Sequence, residues 1–154
     1  MEQATIKYSC DLPWQHHQTA DTLVVYCSAF DFRRYFDEFL DKGLALKAYD
    51  LIAVPGGAQI MTSMHFFPKI ANFMLRWVEF LVKAHDLHRI VILGHEDCSW
   101  YKDFRFGPIH LDLRERQLND MTEVAAMLRK SLNVQVDLFY ARPKAEKMEF
   151  VTVS

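Results

Sequence analysis

The apolar positions along the chain follow two different patterns. Nearly unbroken apolar runs occupy residues 22–26, 50–54 and 89–93, and apolar runs with polar interruptions occupy residues 134–140 and 148–153. Runs of this kind are typical of strands that are buried on both faces of a parallel sheet. Between them, apolar residues recur every three or four positions, which indicates amphipathic helices. These residues are Phe32, Tyr35, Phe36, Phe39 and Leu40, then Ile70, Phe73, Met74, Trp77, Leu81 and Ala84, then Leu118, Met121, Ala125, Leu128 and Leu132.

The alternation of strands and helices predicts an α/β fold. It favours a mainly parallel central sheet of four to five strands flanked by helices, with residues 148–153 as an edge strand. A length of 154 residues suits one domain. We therefore assign residues 1–154 to a single domain that includes residues 1–20 as an irregular N-terminal arm. Residues 99–109, which are rich in aromatic side chains, are predicted to form an irregular loop.

Charge and composition exclude several classes of function. A formal net charge of −2 argues against nucleic acid as a partner, because such proteins need a clustered basic surface. No apolar run approaches the roughly 20 residues that span a bilayer, and the first residues lack the blocks of a signal peptide. We therefore predict a cytoplasmic protein that does not use the membrane. Its three cysteines, an odd number, favour metal-binding or reactive roles over disulfides.

The residues with the most distinctive chemistry each follow a predicted strand. They are Cys27, the Gly56-Gly57 turn, and the pair His95 and Cys98. The carboxyl ends of parallel strands meet at one edge of a sheet, where ligands bind. His95 and Cys98 lie three positions apart, and Cys27 supplies a second cysteine from the end of another strand. Together these residues predict a zinc site with one position left for water. The alternatives are that both cysteines are small buried residues, and that the glycines form a plain turn rather than an anion-binding nest.

Two motifs resemble those of the β-class carbonic anhydrases. Residues 93–98, Leu-Gly-His-Glu-Asp-Cys, are similar to the second metal motif of that family. Residues 49–58, Tyr-Asp-Leu-Ile-Ala-Val-Pro-Gly-Gly-Ala, resemble the segment that leads to its central glycine turn. The resemblance extends from about Thr22 to Tyr140, which is nearly the whole chain.

The resemblance implies a function and an assembly. It implies Zn²⁺ held by Cys27, His95 and Cys98. It also implies that zinc-bound hydroxide hydrates carbon dioxide reversibly to bicarbonate, or attacks a similar small molecule. It also implies a homodimer or higher homo-oligomer whose active sites lie near the subunit interface. The Gly56-Gly57 turn is then a candidate binding element beside the metal.

The chain departs from the family at its first motif, Cys-x-Asp-x-Arg. Residues 27–33 read Cys-Ser-Ala-Phe-Asp-Phe-Arg, so an alignment without gaps puts Ala29 at the aspartate position. An insertion would instead restore Asp31 and Arg33 as the dyad, and a third alignment would put Ala29 in place of the cysteine. We prefer Cys27 as ligand because the predicted strand ends just before it. Asp31, to orient water, and Arg33, as its ion-pair partner, are candidate catalytic residues, or else solvated charges in the first turn of a helix.

Two other functions fit parts of the sequence. If the dyad is lost, the protein is a zinc-binding relative without catalysis. The spacing Cys27-x₅-Arg33 also occurs in cysteine phosphatases and sulfur-transfer loops, where a thiolate and an arginine act together. The bulky Phe30 and Phe32 and the acidic Asp31 disfavour a phosphate cradle between them.

Overall fold

A computed structural model of the chain describes residues 7–14, 19–65, 67–106 and 112–154. Its five strands form one sheet in the order β2-β1-β3-β4-β5. Strands β1 to β4 are parallel, and β5 pairs antiparallel with β4. This confirms the predicted α/β fold with a mainly parallel sheet. The strands are β1 (Thr22–Cys27), β2 (Asp50–Val54), β3 (Arg89–His95), β4 (Gln135–Lys144) and β5 (Lys147–Thr152).

Within the residues that the structure describes, five α-helices connect or flank these strands, and the three predicted helical regions are among them. The first continues as a π-helical turn over Phe39–Gly43. No helix in the described part of the chain is both long and apolar enough to cross a bilayer. The helices are α1 (Arg33–Glu38), α2 (Gln59–Thr62), α3 (Pro68–Ala84), α4 (Ser99–Lys102) and α5 (Leu113–Leu132).

Two irregular segments were predicted, with different outcomes. Residues 7–14 contain no helix or strand, as predicted for the N-terminal arm, whose residues 1–6 and 15–18 lie outside the described residues. The prediction of an irregular loop was wrong for residues 99–106, which form α4 and a 3₁₀ turn, Phe104–Phe106. The carbonyl of Cys98 accepts the amides of Tyr101 and Lys102, which closes a helical turn there. Residues 107–109 of that segment are not among those described.

The sheet is covered on both faces, as its uninterrupted apolar strands require. Strand β1 is buried along its whole length, and its successive side chains point to opposite faces. Leu23 and Val25 pack with apolar residues of α3 and α5 on one face. Val24 and Tyr26 pack with Phe36 of α1 on the other face. This central strand therefore carries Cys27, its last residue, into a rigid position between the two layers.

Helix α3 lies where it was predicted, but it buries a different side. Its buried residues are Ala71, Met74, Val78 and Val82. Of the predicted apolar stripe, Met74 is buried, whereas Ile70, Phe73 and Trp77 are 55%, 56% and 46% exposed. Apolar residues cover more than half of this helix, so periodicity alone does not tell which side faces the sheet.

Candidate metal site

The carboxyl ends of two neighbouring strands bring Cys27, His95 and Cys98 together. Cys27 ends β1 and His95 ends β3, and these strands pair in parallel. Cys98 follows a turn in which Asp97 adopts a φ of 62°, and it stands immediately before α4. All three side chains are buried, and one ligand atom from each lies within 4.8 Å of the others. The structure therefore positions these residues to bind a metal. Cys27, and not Ala29, occupies the place of the first cysteine ligand.

The two sulfur atoms are spaced as a tetrahedral metal site requires. Cys27 Sγ and Cys98 Sγ lie 3.8 Å apart, and both cysteines are free thiols. A disulfide would need a separation of about 2.05 Å. Two sulfurs bound at about 2.3 Å to one tetrahedral zinc lie about 3.8 Å apart. The pair therefore fits two thiolate ligands of one zinc ion.

His95 presents an unused nitrogen to the site. Its Nδ1 lies 2.8 Å from the backbone carbonyl of Glu96, and because a carbonyl only accepts, Nδ1 carries the proton. Nε2 is then an acceptor, and it is buried without a hydrogen-bond partner. The ring is held by Phe32, whose ring centroid lies 4.2 Å from that of His95. Leaving a buried acceptor unpaired is costly, so this nitrogen fits the third ligand of a metal.

The glycine turn supports Cys27. The Gly56 amide donates to Cys27 Sγ over 3.3 Å, and the Gly57 amide donates to the Val54 carbonyl over 2.9 Å. Both glycines have positive φ, and a Cβ at Gly56 would lie 2.5 Å from Cδ1 of Trp100. Glycine is therefore required at Gly56 by both conformation and space. The predicted anion-binding role of the turn would require these two amides to change partners.

The two thiols affect one another's ionisation in opposite directions. The contact with Cys98 lowers the pKa of Cys27, and the hydrogen bond from the Gly56 amide adds to this against the effect of burial. The contact with Cys27, followed by burial, raises the pKa of Cys98. One thiolate thus forms readily and disfavours the second. A bound divalent cation offsets that repulsion and lets both ionise.

Cys27 and His95 line a cavity of about 820 Å³, and Cys98 is not among its lining residues. Trp100 and Phe106 stack on one wall with ring centroids 3.6 Å apart. The charged residues that line the cavity include Asp31 and Arg34. Its aromatic lining residues are Phe30, Phe32, Tyr35, Trp100 and Phe106.

The two candidate catalytic residues occupy different surroundings. Asp31 is exposed and lines the cavity. Arg33 begins α1 and forms an ion pair of 3.5 Å with Asp37, between two largely exposed side chains. The arginine that lines the cavity is Arg34, which the sequence did not single out; it donates to the Tyr35 hydroxyl over 2.7 Å. No spacing rule separates adjacent arginines at the start of a short helix, so only the fold distinguishes them.

Comparison with known proteins gives similarity at the level of structure. The sequence matches no protein-family model and no curated protein sequence. A β-carbonic anhydrase of Aspergillus fumigatus superposes with a TM-score of 0.52 and 16% identity, covering 94% of this chain and 95% of that one. Isoform I from Trichomonas vaginalis gives a TM-score of 0.54 and 12% identity, with coverage of 92% and 88%.

A third match is to two fungal enzymes described as tetrameric. The tetrameric β-carbonic anhydrases of Sordaria macrospora superpose with a TM-score of 0.57 and 11% identity, over 88% of this chain and 82% of that one. The superpositions establish the arrangement of the backbone. Because the sequence identities are low, the chemistry has to be argued from the site itself. The resemblance in the sequence motifs and the superposition over nearly the whole chain agree. The protein has the fold of the β-carbonic anhydrases.

Proposed function

We propose that the protein binds one zinc ion and catalyses the reversible hydration of carbon dioxide to bicarbonate. The observation that carries this proposal is the buried cluster of Cys27, His95 and Cys98, in which His95 Nε2 has no other partner. Thiolate and imidazole ligands favour zinc over magnesium or calcium, which prefer oxygen. The β-carbonic anhydrase fold supports the same conclusion.

Each protein group at the site has a definable task. The Gly56 amide stabilises the thiolate of Cys27, and the Glu96 carbonyl keeps His95 in the tautomer that can bind a metal. Phe32 and Trp100 give the cavity apolar walls, which suit a small apolar substrate. Bound zinc would supply the Lewis acidity that lets water act as a nucleophile near neutral pH. In this scheme Asp31, on the cavity wall, orients that water or accepts its proton.

A zinc-binding protein without catalysis is the second candidate, and one observation favours it. Arg33 pairs with Asp37, and Asp31 is exposed, so neither has the fixed environment expected of a catalytic dyad. The cysteine phosphatase hypothesis gains no such support. It requires Arg33 to act beside the Cys27 sulfur, which instead contacts Cys98 and the Gly56 amide.

Metal analysis joined to stopped-flow hydration tests the proposal. We expect about one zinc per chain, and carbon dioxide hydration that is faster than in buffer and absent in Cys98→Ser. Zinc without any acceleration of hydration would contradict the enzyme and favour the second candidate. Turnover of an aryl phosphate that survives chelation would favour the phosphatase.

Two further parts of the proposal concern the protein's setting. We include homo-oligomerisation, a homodimer or larger, because the matching Sordaria macrospora enzymes are tetrameric. We also include the cytoplasmic location predicted from the sequence. Light scattering and fractionation of cells test these two statements separately from catalysis.

A further inference from the structure

Tyr101 is a buried tyrosine that lies beside two of the candidate metal ligands. Its side chain is 1% exposed and packs with Cys27 and Cys98 in a small buried cluster. Its hydroxyl is buried and makes no hydrogen bond with any residue that the structure describes. Leaving a buried hydroxyl unpaired is costly, and a phenylalanine would fill the same space without that cost. The hydroxyl therefore needs a partner that supports it.

Asp120 on α5 is the polar group nearest in effect to this hydroxyl. Burial and then the charge of Asp120 raise the pKa of Tyr101. Burial raises the pKa of Asp120, and the Tyr101 hydroxyl acts against this as a nearby donor. The two groups interact without meeting the geometry of a hydrogen bond, and Oδ2 of Asp120 is buried without another partner in the described part of the chain. A hydroxyl donates and a carboxylate accepts, so one hydrogen bond between them satisfies both.

The ring of Tyr101 is held against α5. The guanidinium carbon of Arg116 lies 4.9 Å from the centroid of this ring. Arg116 also donates to the carbonyl of Phe106 over 3.2 Å, which fixes the guanidinium over the ring. Asp120 follows Arg116 by one helical turn. The cation–π contact therefore keeps the hydroxyl of Tyr101 near Asp120.

Helix α4 links Tyr101 to the candidate ligand Cys98. Cys98 stands immediately before this helix, and the Tyr101 amide donates to the Cys98 carbonyl over 3.1 Å. The contact with Cys27 and burial raise the pKa of the Cys98 thiol, whereas the amides of Trp100 and Tyr101 act in the opposite direction. Helix α4 has four residues, too few to hold an orientation alone. Its direction therefore depends on where Tyr101 is anchored.

We propose that Tyr101 and Asp120 are positioning residues for the metal site. The Tyr101 hydroxyl donates to the Asp120 carboxylate, and this hydrogen bond fixes α4 and with it the direction of Cys98 Sγ. The inference rests on the metal-binding part of the proposed function. It places the support of a zinc ligand on α5, a helix that contributes no ligand itself. Removal of groups that orient metal ligands typically lowers metal affinity about 10–100-fold.

Tyr26 offers a matched control. It is also a buried tyrosine, 1% exposed, and its hydroxyl likewise makes no hydrogen bond with the described residues. It directly precedes the ligand Cys27 in β1, but its side chain packs with Phe36 on the face of the sheet away from α5. Tyr26→Phe therefore removes an equivalent hydroxyl without touching α4 or Asp120.

Zinc affinity, measured by competition with a chelator of known affinity, tests the inference. Tyr101→Phe and Asp120→Ala should each bind zinc about 10–100-fold more weakly than the wild type. The double variant should lose little more than either single variant, because both remove the same interaction. Asp120→Asn keeps an oxygen that accepts from the hydroxyl and should bind zinc nearly as tightly as the wild type. Tyr26→Phe should bind it as the wild type does.

Two further measurements separate positioning from stability. Cobalt bound in place of zinc shows a sulfur-to-metal absorption band, whose intensity should change in Tyr101→Phe and stay unchanged in Tyr26→Phe. Urea unfolding of the zinc-free proteins measures stability alone. A hydroxyl that only supports the fold would lower the free energy of unfolding of Tyr101→Phe and leave its zinc affinity and cobalt spectrum unchanged. If zinc-free Tyr101→Phe does not fold, the comparison of Asp120→Ala with Asp120→Asn supplies the test.

Several outcomes would overturn the inference. Equal zinc affinity in the wild type, Tyr101→Phe and Asp120→Ala would do so and leave the proposed function intact. An Asp120→Asn variant as weak as Asp120→Ala, or additive losses in the double variant, would show that no hydrogen bond joins the two residues. An equal loss in Tyr26→Phe would show that any buried hydroxyl has the same effect. A wild type that binds no zinc would overturn the proposed function and this inference together.

Discussion

The ligand cluster and the segment from Asp31 to Arg33 lie at the same end of the sheet but are built differently. Cys27 and His95 end neighbouring strands and are oriented by backbone groups, Cys98 stands just before α4, and all three side chains are buried. Asp31 and Arg33 are exposed, and the ion pair of Arg33 is with Asp37. The fold thus specifies metal binding more firmly than it specifies the groups that would assist catalysis. The predictions below test this difference.

The largest effect is expected when a ligand is removed. Cys98→Ser should reduce zinc from about one per chain to a trace and lower the stability strongly, because zinc binding in such sites is linked to folding. Plasma mass spectrometry and thermal unfolding measure the two changes. Cys10→Ser is the matched control, since Cys10 is exposed, and it should keep both zinc and stability. Full zinc content in Cys98→Ser would contradict the assignment.

The glycine turn should give the next largest effect. Gly56→Ala forces an L side chain into a φ of +76° and against Trp100, which should cost about 2–4 kcal/mol in the free energy of unfolding. Urea unfolding measures it. In a Trp100→Ala background, Gly56→Ala no longer overlaps with the indole ring but keeps its backbone strain. It should therefore lower the free energy of unfolding less in that background than it does in the wild type. No loss at all in that background would show that strain contributes nothing.

Removal of the candidate water-orienting carboxylate should leave the metal in place. We expect Asp31→Ala to retain its zinc and to hydrate carbon dioxide roughly a hundredfold more slowly, at the low end for loss of a general acid or base. Arg33→Ala should lose less, because its ion pair in the structure is with Asp37. Stopped-flow hydration with parallel metal analysis measures both variants. Unchanged rates in Asp31→Ala would remove this residue from the mechanism.

The smallest effect concerns a partly buried carboxyl on α5, that of Asp120. Burial raises the pKa of Asp120, so the unfolded chain ionises first and the free energy of unfolding falls as the pH rises from about 4 to that raised pKa. Asp120→Asn should therefore gain stability relative to the wild type as the pH increases across this interval. Urea unfolding between pH 4 and 8 measures it. An advantage that is the same at every pH would contradict this explanation.

The pKa of Asp103 is shifted in the opposite direction to that of Asp120. Its hydrogen bond with Arg105 lowers the pKa of Asp103 to about 2. The stabilisation from this group is fully present above the unfolded pKa near 4 and is lost as the pH falls towards 2. The difference between Asp103→Asn and the wild type should therefore stay constant between pH 5 and 8.

The sequence predicted the parts of the molecule that depend on local pattern. Buried strands produce unbroken apolar runs, and the residues that follow them meet at one edge of the sheet, so the cluster of Cys27, His95 and Cys98 was predictable. The fixed tautomer of His95 was not, because it depends on a single backbone carbonyl, that of Glu96. The partner of Arg33 was also not predictable, since it depends on how α1 leaves the strand.

The exposed side of α3 shows a second limit of sequence patterns. Phe73 and Trp77 match a helical period as well as Met74 and Val78 do, yet only the latter pair is buried. Periodicity identifies an apolar face without saying whether the same chain or another molecule covers it. That information comes from the packing of the whole domain.

X-ray absorption at the zinc edge of the purified protein tests the central claim most directly. The three assigned ligands predict two sulfur atoms at about 2.3 Å from zinc and a nitrogen at about 2.0–2.1 Å. His95→Ala should remove the imidazole contribution to the spectrum, whereas the control His88→Ala should not, because His88 is 74% exposed. Zinc surrounded only by oxygen and nitrogen, or a protein purified without metal that binds none when zinc is added, would contradict the account.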